Sequence, residues 1–264
     1  MAMRISHEAA MHEHSSFLSL TLRDEDLADG LSVRVLQLFH KRLRKLVGQY
    51  RHFSIGEYGE KKDRPHYHAI VFGYAFPDRT FWGLSKKGYR MYRSATLEKA
   101  WTLGHSTIQD LTPAAAQYVA HYSVKKLSGE QRARYNGRKP EFAIMSSKPG
   151  IGGTWIDKFA SSVFPRDFVV KADGKRAKVP RYYLLRQPEA MQAIVKADRQ
   201  AAAARAVELL HQHIYADNPR ESLQRASDYH TEIASRREFA RHAIRTTNKQ
   251  RPLENETPRL RHPR

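Results

Sequence analysis

The chain has 264 residues, no cysteine, and a formal net charge of +19, because 46 lysines and arginines outnumber 27 aspartates and glutamates. The lack of cysteine excludes disulfides and thiolate zinc sites and agrees with a reducing cytoplasm. No apolar run reaches membrane-spanning length, and the N-terminus has no signal-peptide core. The charge predicts a polyanionic partner, most simply nucleic acid; an anionic membrane surface fits less well because no basic amphipathic anchor is evident.

Hydrophobic periodicity predicts alternating strands and helices over residues 16–146, after a flexible N-terminus at 1–15. Period-two patterns and short aromatic or β-branched runs indicate strands, whereas apolar residues three and four apart indicate helices. The predicted strands are Phe17–Thr21, Arg51–Ile55, Tyr67–Phe72, His105–Gln109 and Glu141–Met145; the predicted helices are Leu31–Val47, Thr96–Trp101 and Thr112–Leu127; and Asp78–Arg93 is predicted to be an irregular basic and aromatic insertion.

This order of elements favours the α+β class, with an antiparallel central sheet flanked by helices. The main domain is expected over residues 16–146, followed by a hairpin and loop extension over 147–187. In that extension, Phe168–Val170 and Arg181–Leu184 flank the turn signal Asp173-Gly174. Residues 188–247 predict a basic helical region, and the polar tail at 248–264, which contains prolines, predicts disorder.

The segment Arg64-Pro65-His66-Tyr67-His68 opens the predicted strand that ends at Phe72. Side chains alternate along a strand, so His66 and His68 point to the same face. Two imidazoles side by side on a rigid strand can serve as two ligands of a divalent metal ion. The pair alone also fits an ordinary polar strand face, so the metal prediction depends on the rest of the pattern.

A third, acidic ligand is expected because two imidazoles leave a metal ion under-coordinated, and the candidates are Glu57, Glu60 and Asp63. Glu57 follows the second predicted strand, immediately before the turn that returns into the histidine strand. A hairpin there brings Glu57 beside His66 or His68, whereas the other two carboxylates lie in a charged turn that faces water. Neutral histidines with one carboxylate suit Mg²⁺ or Mn²⁺, and zinc also tolerates these ligands.

The helix predicted over Thr112–Leu127 has a good N-cap in Thr112, a favourable first residue in Pro113 and a stop signal in Gly129. Tyrosine can act as a covalent nucleophile, and a nearby lysine can stabilise phosphate charge. The same pattern also fits an amphipathic helix whose tyrosines only pack at the edge of a core. Helical spacing puts Tyr118, His121, Tyr122 and Lys125 on one face and leaves Ala116, Val119, Ala120, Ser123 and Leu127 to pack inward.

Together these motifs resemble those of a known superfamily. His66-Tyr67-His68 resembles the His-hydrophobic-His motif of the HUH endonucleases, and the stretch from Tyr118 to Lys125 resembles the hydrophobic-Val-x-x-Tyr-x-x-Lys motif of rolling-circle replication initiators. The histidines precede the tyrosines, which is the order in initiators rather than in most conjugative relaxases. The stretch from Ser16 to Leu22 resembles the family's first motif, although Leu22 stands where an aromatic residue is common.

More specifically, Gly56-Glu57-Tyr58-Gly59, the histidine motif and the tandem tyrosines make residues 16–130 similar to the replication initiators of microviruses, of the gokushovirus type. This resemblance implies metal-assisted transesterification at an origin in single-stranded DNA, within the host bacterial cytoplasm. It assigns Tyr122 and Tyr118 as nucleophiles, Lys125 as the balance for phosphate charge, and His66, His68 and Glu57 as ligands of Mg²⁺ or Mn²⁺.

The implied products are a 5′-phosphotyrosine linkage and a free 3′-OH that primes a polymerase. The linkage conserves the energy of the cleaved bond, so neither cleavage nor ligation is expected to need ATP. The sequence has no Gly-x-x-x-x-Gly-Lys-[Ser/Thr] loop, and the protein is therefore expected to depend on a host helicase and a host DNA polymerase.

Other functions stay open from the sequence. A plasmid initiator or a transposase-like nickase of the same superfamily would carry the same motifs. A non-catalytic basic protein that packages or coats nucleic acid would have the same charge but would form no covalent adduct. A hydrolytic metal nuclease with purely structural tyrosines would leave free ends on both sides of the cut.

Overall fold

The computed structural model describes residues 1–27, 30–59, 64–122, 135, 137–171 and 174–214, and in the helices it leaves the side chains of residues 122 and 208–214 undescribed. A seven-stranded sheet forms the centre, in the order β4-β5-β6-β1-β3-β2-β7. All neighbouring strands pair antiparallel. The strands are β1 (Ser15–Leu22), β2 (Arg51–Tyr58), β3 (Pro65–Phe72), β4 (Thr80–Leu84), β5 (Arg90–Arg93), β6 (Gly104–Asp110) and β7 (Phe142–Met145).

Helices and a second, two-stranded sheet complete the described chain, and the predicted α+β class is confirmed. The helices are α1 (Ala2–Ala9), α2 (Val33–Val47), α3 (Ala95–Ala100), α4 (Pro113–Tyr122), α5 (Gly153–Val163), α6 (Arg181–Leu184) and α7 (Glu189–Ile214), and the small sheet pairs β8 (Phe168–Val170) with β9 (Arg176–Lys178). No helix in the described ranges has the length and apolar character needed to span a membrane.

The alternation of side chains along β1 and β3 separates two hydrophobic cores, one on each face of the sheet. Leu18, Leu20, Tyr67, Ala69 and Val71 pack with α2 and α3. The opposite face is covered by α1 and α4, which pack on a second set of buried residues that includes Phe17, Phe53, Ile55, Ile70 and Phe72. The histidine pair of β3 belongs to this second face, because His66 and His68 alternate with Tyr67 and Ala69.

Two elements differ from the sequence prediction. The insertion over Asp78–Arg93 is not irregular: β4 and β5 form an antiparallel hairpin at one edge of the sheet. The predicted partner of Phe168–Val170 was wrong, since Arg176–Lys178 forms the second strand. Arg181–Leu184 is a helical turn instead, with Pro180 at its N-cap and the Tyr183 N–H donating to the Pro180 carbonyl. Proline favours the start of a helix but cannot donate to a sheet ladder.

The N-terminal segment, predicted to be flexible, forms helix α1 from Ala2 to Ala9. Glu8 is fully buried, pairs with Arg51 of β2 and accepts a hydrogen bond from the Gly152 amide at 2.6 Å. Burial alone would raise the pKa of Glu8, but the hydrogen bonds from Arg51 and Gly152 outweigh it and lower that pKa. A buried carboxylate satisfied in this way ties α1 to the sheet and to the loop before α5.

Chain contacts divide the protein into Met1–Gln192 and Ala193–Arg264. The first unit contains the whole seven-stranded sheet together with β8, β9, α5 and α6. In the second unit, the described residues continue α7 to Ile214, and most of them are exposed. The predicted basic helical region beyond residue 214 and the predicted disordered tail lie outside the described residues.

A buried polar cluster joins α2 to β2 beneath the sheet. His40 contacts the Tyr50 hydroxyl and the Ser54 hydroxyl through its two ring nitrogens, at 2.8 Å each, and stacks on His52 at 3.7 Å. Burial lowers the pKa of His40 well below its usual value, and burial with nearby Arg44 and Arg51 lowers that of His52 to about 4. Both rings are therefore neutral in the folded protein at neutral pH.

This cluster predicts a loss of stability in mild acid. Below about pH 6.5 the unfolded chain takes up protons at these histidines while the folded chain does not, so the free energy of unfolding falls until the pH reaches about 4. His52 alone corresponds to about 3 kcal/mol over this window. Urea unfolding at pH 7 and pH 4.5 measures the change, and His52→Gln, which keeps a polar group near Ser54, should flatten it. Equal stability at both pH values would contradict the prediction.

Candidate active site

The register of the central strands brings the predicted metal ligands onto one face of the sheet. Glu57 of β2 is the direct cross-strand partner of His66 of β3. His68 is paired with Ser19 of β1 on its other side, and His66 with Thr21. Because directly paired residues project to the same face, Glu57, His66 and His68 share the face that α4 covers.

Glu57 is the most enclosed of these side chains, with only 4% of its surface exposed. Its Oε1 lies 3.2 Å from Nε2 of His68. Its Oε2 is buried and has no hydrogen-bond partner. A buried carboxylate oxygen without a partner is costly, so this atom marks a place where a cation or a donor is needed.

His68 is held by contacts on several sides. Its Nδ1 lies 3.3 Å from the Ser19 hydroxyl, and its ring stacks on Phe17 at 5.4 Å between centroids. The Tyr118 ring meets it edge-on at 5.3 Å. These contacts leave Nε2 directed toward Glu57 and limit rotation of the imidazole.

His66 is oriented differently. Its Nδ1 lies 2.7 Å from the carbonyl oxygen of Arg64, which can only accept a hydrogen bond. Nδ1 is therefore the protonated nitrogen, and Nε2 of the neutral ring keeps its lone pair, as in most histidines that ligate metals. A methyl group on Gly59 would lie 3.1 Å from Cε1 of His66, so glycine gives this ring its room.

Helix α4 places Tyr118 over the histidine strand. Thr112 caps the helix through a hydrogen bond from the Ala115 amide at 3.1 Å, and Ala116 and Val119 are buried against the sheet, as the sequence predicted. Ala120 is also buried, whereas Ser123 and Leu127 lie outside the described residues. The Tyr118 hydroxyl donates to Glu57 Oε1 at 2.5 Å. A tyrosine, a carboxylate and a histidine thus form one hydrogen-bonded cluster.

The rest of the tyrosine motif is described only in part. Tyr122 ends the described part of α4, and its side chain is not described; Lys125 lies outside the described residues, as do Glu60 and Asp63. His121 is exposed. The structure therefore brings Glu57, His68 and Tyr118 into contact and puts His66 on the same face, while it does not report the positions of the Tyr122 phenol and the Lys125 ammonium.

No group of three histidine, cysteine, aspartate or glutamate side chains in the described ranges is close enough to hold a metal ion. The reason is the orientation of His66, whose ring is hydrogen-bonded to the Arg64 carbonyl while Glu57 contacts His68. The residue types and the unpartnered Glu57 Oε2 nevertheless fit a divalent cation, because carboxylate oxygen and neutral imidazole are its usual ligands.

Sequence reasoning missed Ser19 and Phe17, which hold the His68 ring. The period-two pattern of the first strand shows which residues share a face, but not which strand pairs with which. A cavity of about 280 Å³ also opens beside the cluster, lined partly by His68, Tyr118, Lys86, Lys87 and Tyr89. The last three residues come from the turn of the β4–β5 hairpin.

An antiparallel sheet with a His-x-His pair on a central strand, covered by a helix with tandem tyrosines, defines an HUH-type rolling-circle initiator. Residues 15–127 match the model of the replication-associated protein family that includes the viral ORF2 proteins. Over this segment the chain belongs to that family, and the resemblance to microvirus initiators read from the motifs is confirmed.

Relatives from bacterial viruses support the assignment. The chain is 32% identical over 195 residues to the replication-associated protein VP4 of Bdellovibrio phage phiMH2K, covering 69% of this chain and 60% of the relative. It is 33% identical over 185 residues to the replication-associated protein ORF2 of Spiroplasma virus 4, covering 65% and 57% of the two chains. The matched regions thus span about three fifths of these relatives. No solved structure matches the chain.

Proposed function

We propose that this protein initiates rolling-circle DNA replication by nicking single-stranded DNA at an origin and joining itself to the 5′ end. The observation that carries the proposal is the Tyr118 hydroxyl hydrogen-bonded to Glu57, whose other contact is His68. A structural tyrosine needs no buried carboxylate whose second oxygen lacks a partner. A nucleophilic tyrosine does need an acceptor for its proton and a cationic centre for the phosphate.

Glu57, His68 and His66 are the residues that would hold Mg²⁺ or Mn²⁺. Glu57 Oε2 is available because it is buried without a partner, and Nε2 of His66 is available because Nδ1 donates to the Arg64 carbonyl. When bound, such a cation polarises a phosphoryl oxygen and stabilises the charge of the transition state. Ser19 and Phe17 act as positioning residues by fixing the His68 ring.

The reaction is a transesterification at phosphorus. The tyrosine oxygen bonds to the scissile phosphorus, and the bond from phosphorus to the 3′ oxygen of the preceding nucleotide breaks. The phenolic proton leaves toward an acceptor, a role that Glu57 Oε1 already has for Tyr118, and the departing oxygen gains a proton to become a 3′-OH. One phosphodiester replaces another, so no nucleotide hydrolysis is required.

Two tyrosines allow two consecutive transfers. Tyr118 and Tyr122 are separated by about 6 Å along a helix and by about 40° around it, so a modest shift exchanges them at one phosphate. We assign the first cut to Tyr122, because it precedes Lys125 by the spacing of the Tyr-x-x-Lys motif, and the second to Tyr118. Lys125 balances phosphate charge in this scheme.

The remaining partners follow from the products. The 3′-OH is a primer for a host DNA polymerase, and unwinding requires a host helicase because the sequence has no phosphate-binding loop. The net charge of +19 supplies the electrostatic attraction to DNA, which is expected to weaken as salt rises.

The proposal is tested by incubating the full chain with circular single-stranded DNA and Mn²⁺ in the absence of nucleotide. We expect a protein–DNA band that survives denaturant, disappears after protease treatment and does not form in EDTA. Cut DNA with free ends and no such band would identify a hydrolytic nuclease. Intact DNA bound only without denaturant would identify a non-catalytic coating protein, and strict dependence on ATP would also contradict the proposal.

A further inference from the structure

The β4–β5 hairpin carries an unusual density of exposed apolar side chains. Phe81, Trp82 and Leu84 are each 61% exposed, and Tyr89 is 39% exposed. The hairpin forms one edge of the sheet, so these residues have no neighbouring strand beyond them in the described sheet. A cluster of exposed aromatic residues on a soluble surface indicates an interaction site.

Basic side chains are interleaved with these aromatic ones. Lys86, Lys87 and Arg90 form no ion pair with any carboxylate in the described ranges. Arg93 lies over the Trp82 ring at 4.8 Å, although it also pairs with Glu98. Unpaired cations beside exposed rings match the requirements of a single-stranded nucleic acid, whose bases stack and whose phosphates attract lysine and arginine.

The hairpin turn connects this surface to the candidate active site. Ser85, Lys86, Lys87 and Tyr89 line the same cavity as His68 and Tyr118. The turn is also closed by its own hydrogen bonds: the Ser85 amide donates to the Tyr89 carbonyl at 2.8 Å, and the Gly88 amide to the Ser85 carbonyl at 2.9 Å. A preformed turn loses little entropy when a ligand binds.

We infer that this hairpin is a stacking platform that holds the single strand next to the scissile phosphate. Tyr89 and Trp82 stack on bases, while Lys86 and Lys87 hold backbone phosphates at the mouth of the cavity. The inference deepens the proposed nicking function and rests on it for the identity of the strand. A second copy of this chain is a poorer occupant, because it would bury three unpaired cations.

Binding is measured by fluorescence anisotropy in EDTA, so that no cleavage intervenes, with a labelled single-stranded oligonucleotide and its duplex. Trp82→Ala and Tyr89→Ala should each weaken single-strand binding about tenfold, which is the effect of losing one base–aromatic stack, and should change duplex binding much less. Against a strand made entirely of abasic sites, both variants should bind as the wild type does, because no base remains to stack.

The lysines are tested by Lys86→Gln with Lys87→Gln. This double variant should lower the dependence of binding on salt by about 1.4 in the logarithmic slope, since each phosphate contact contributes about 0.7 for single strands. The matched control is Lys41→Gln with Lys45→Gln: both lysines are exposed on α2, which packs on the opposite face of the sheet. The control removes the same charge and should change the slope less.

Wild-type affinity in both aromatic variants would overturn the inference. So would concentration-dependent dimers that sediment for the wild type and disappear in Trp82→Ala, because the surface would then be a protein interface. Failure of the proposed function is distinguishable: a wild type that forms no covalent adduct yet loses affinity in these variants keeps the platform and loses the nicking reaction.

Discussion

The variant with both Tyr118→Phe and Tyr122→Phe is expected to form no covalent adduct with single-stranded DNA. Each substitution removes only a phenolic oxygen, so the ring of Tyr118 still packs beside His68 and folding changes little. Tyr122→Phe alone should sharply reduce the first adduct, whereas Tyr118→Phe should still form it and chiefly impair the second transfer. Denaturing gels with labelled DNA, followed by peptide mapping, measure both steps.

Tyr182→Phe is the matched control, because it removes another partly exposed tyrosine hydroxyl, one that lies against Arg4 and Arg186 rather than in the cluster. It should leave adduct formation intact. If Tyr118→Phe, rather than Tyr122→Phe, eliminates the first adduct, the order of the two tyrosines is reversed. DNA joined to the double variant would mean that neither tyrosine is the nucleophile.

His68→Ala is expected to abolish cleavage while most DNA binding persists. The substitution removes the imidazole that contacts Glu57 and rests between Phe17 and Tyr118, and it leaves a buried carboxylate with less compensation. DNA binding should survive because it depends on charge spread over the chain. Cleavage rate and oligonucleotide affinity are measured on the same preparations across a range of Mn²⁺ concentrations.

A metal-binding readout separates ligand loss from misfolding. Calorimetric titration with Mn²⁺ should detect a site in the wild type that is absent in His68→Ala and in Glu57→Gln, while thermal melting reports whether each variant is folded. His14→Ala is the control, since that ring is 57% exposed and lies just before β1. Full cleavage by His68→Ala in added Mn²⁺ would refute the assignment of His68.

The local parts of this site follow from sequence periodicity. Two histidines separated by one residue on a strand share a face in any sheet, so the alternation around Tyr67 was sufficient to predict it. Thr112 and Pro113 similarly predicted where α4 begins, and the spacing of Ala116, Val119 and Ala120 predicted its buried side. These features depend on residues within a few positions of each other, where backbone geometry is nearly independent of the fold.

Tertiary structure decided what contacts those residues. Tyr118 reaches Glu57 across 61 positions, and His68 reaches Ser19 across 49, through a strand order that no local pattern encodes. The same holds for α1, whose buried Glu8 finds its partner at Arg51, and for the β4–β5 hairpin, whose exposed aromatic residues were read as an irregular insertion.

The sequence by itself determined the α+β class, the shared face of the histidines and the family resemblance, because these depend on periodicity and on short motifs. Only the tertiary structure decided that Glu57 lies between His68 and Tyr118 with one oxygen unpartnered, and that the basic turn of the hairpin opens onto the same cavity. The physical reason is that sheet register and burial are set by the packing of distant segments against each other, which a linear pattern does not specify.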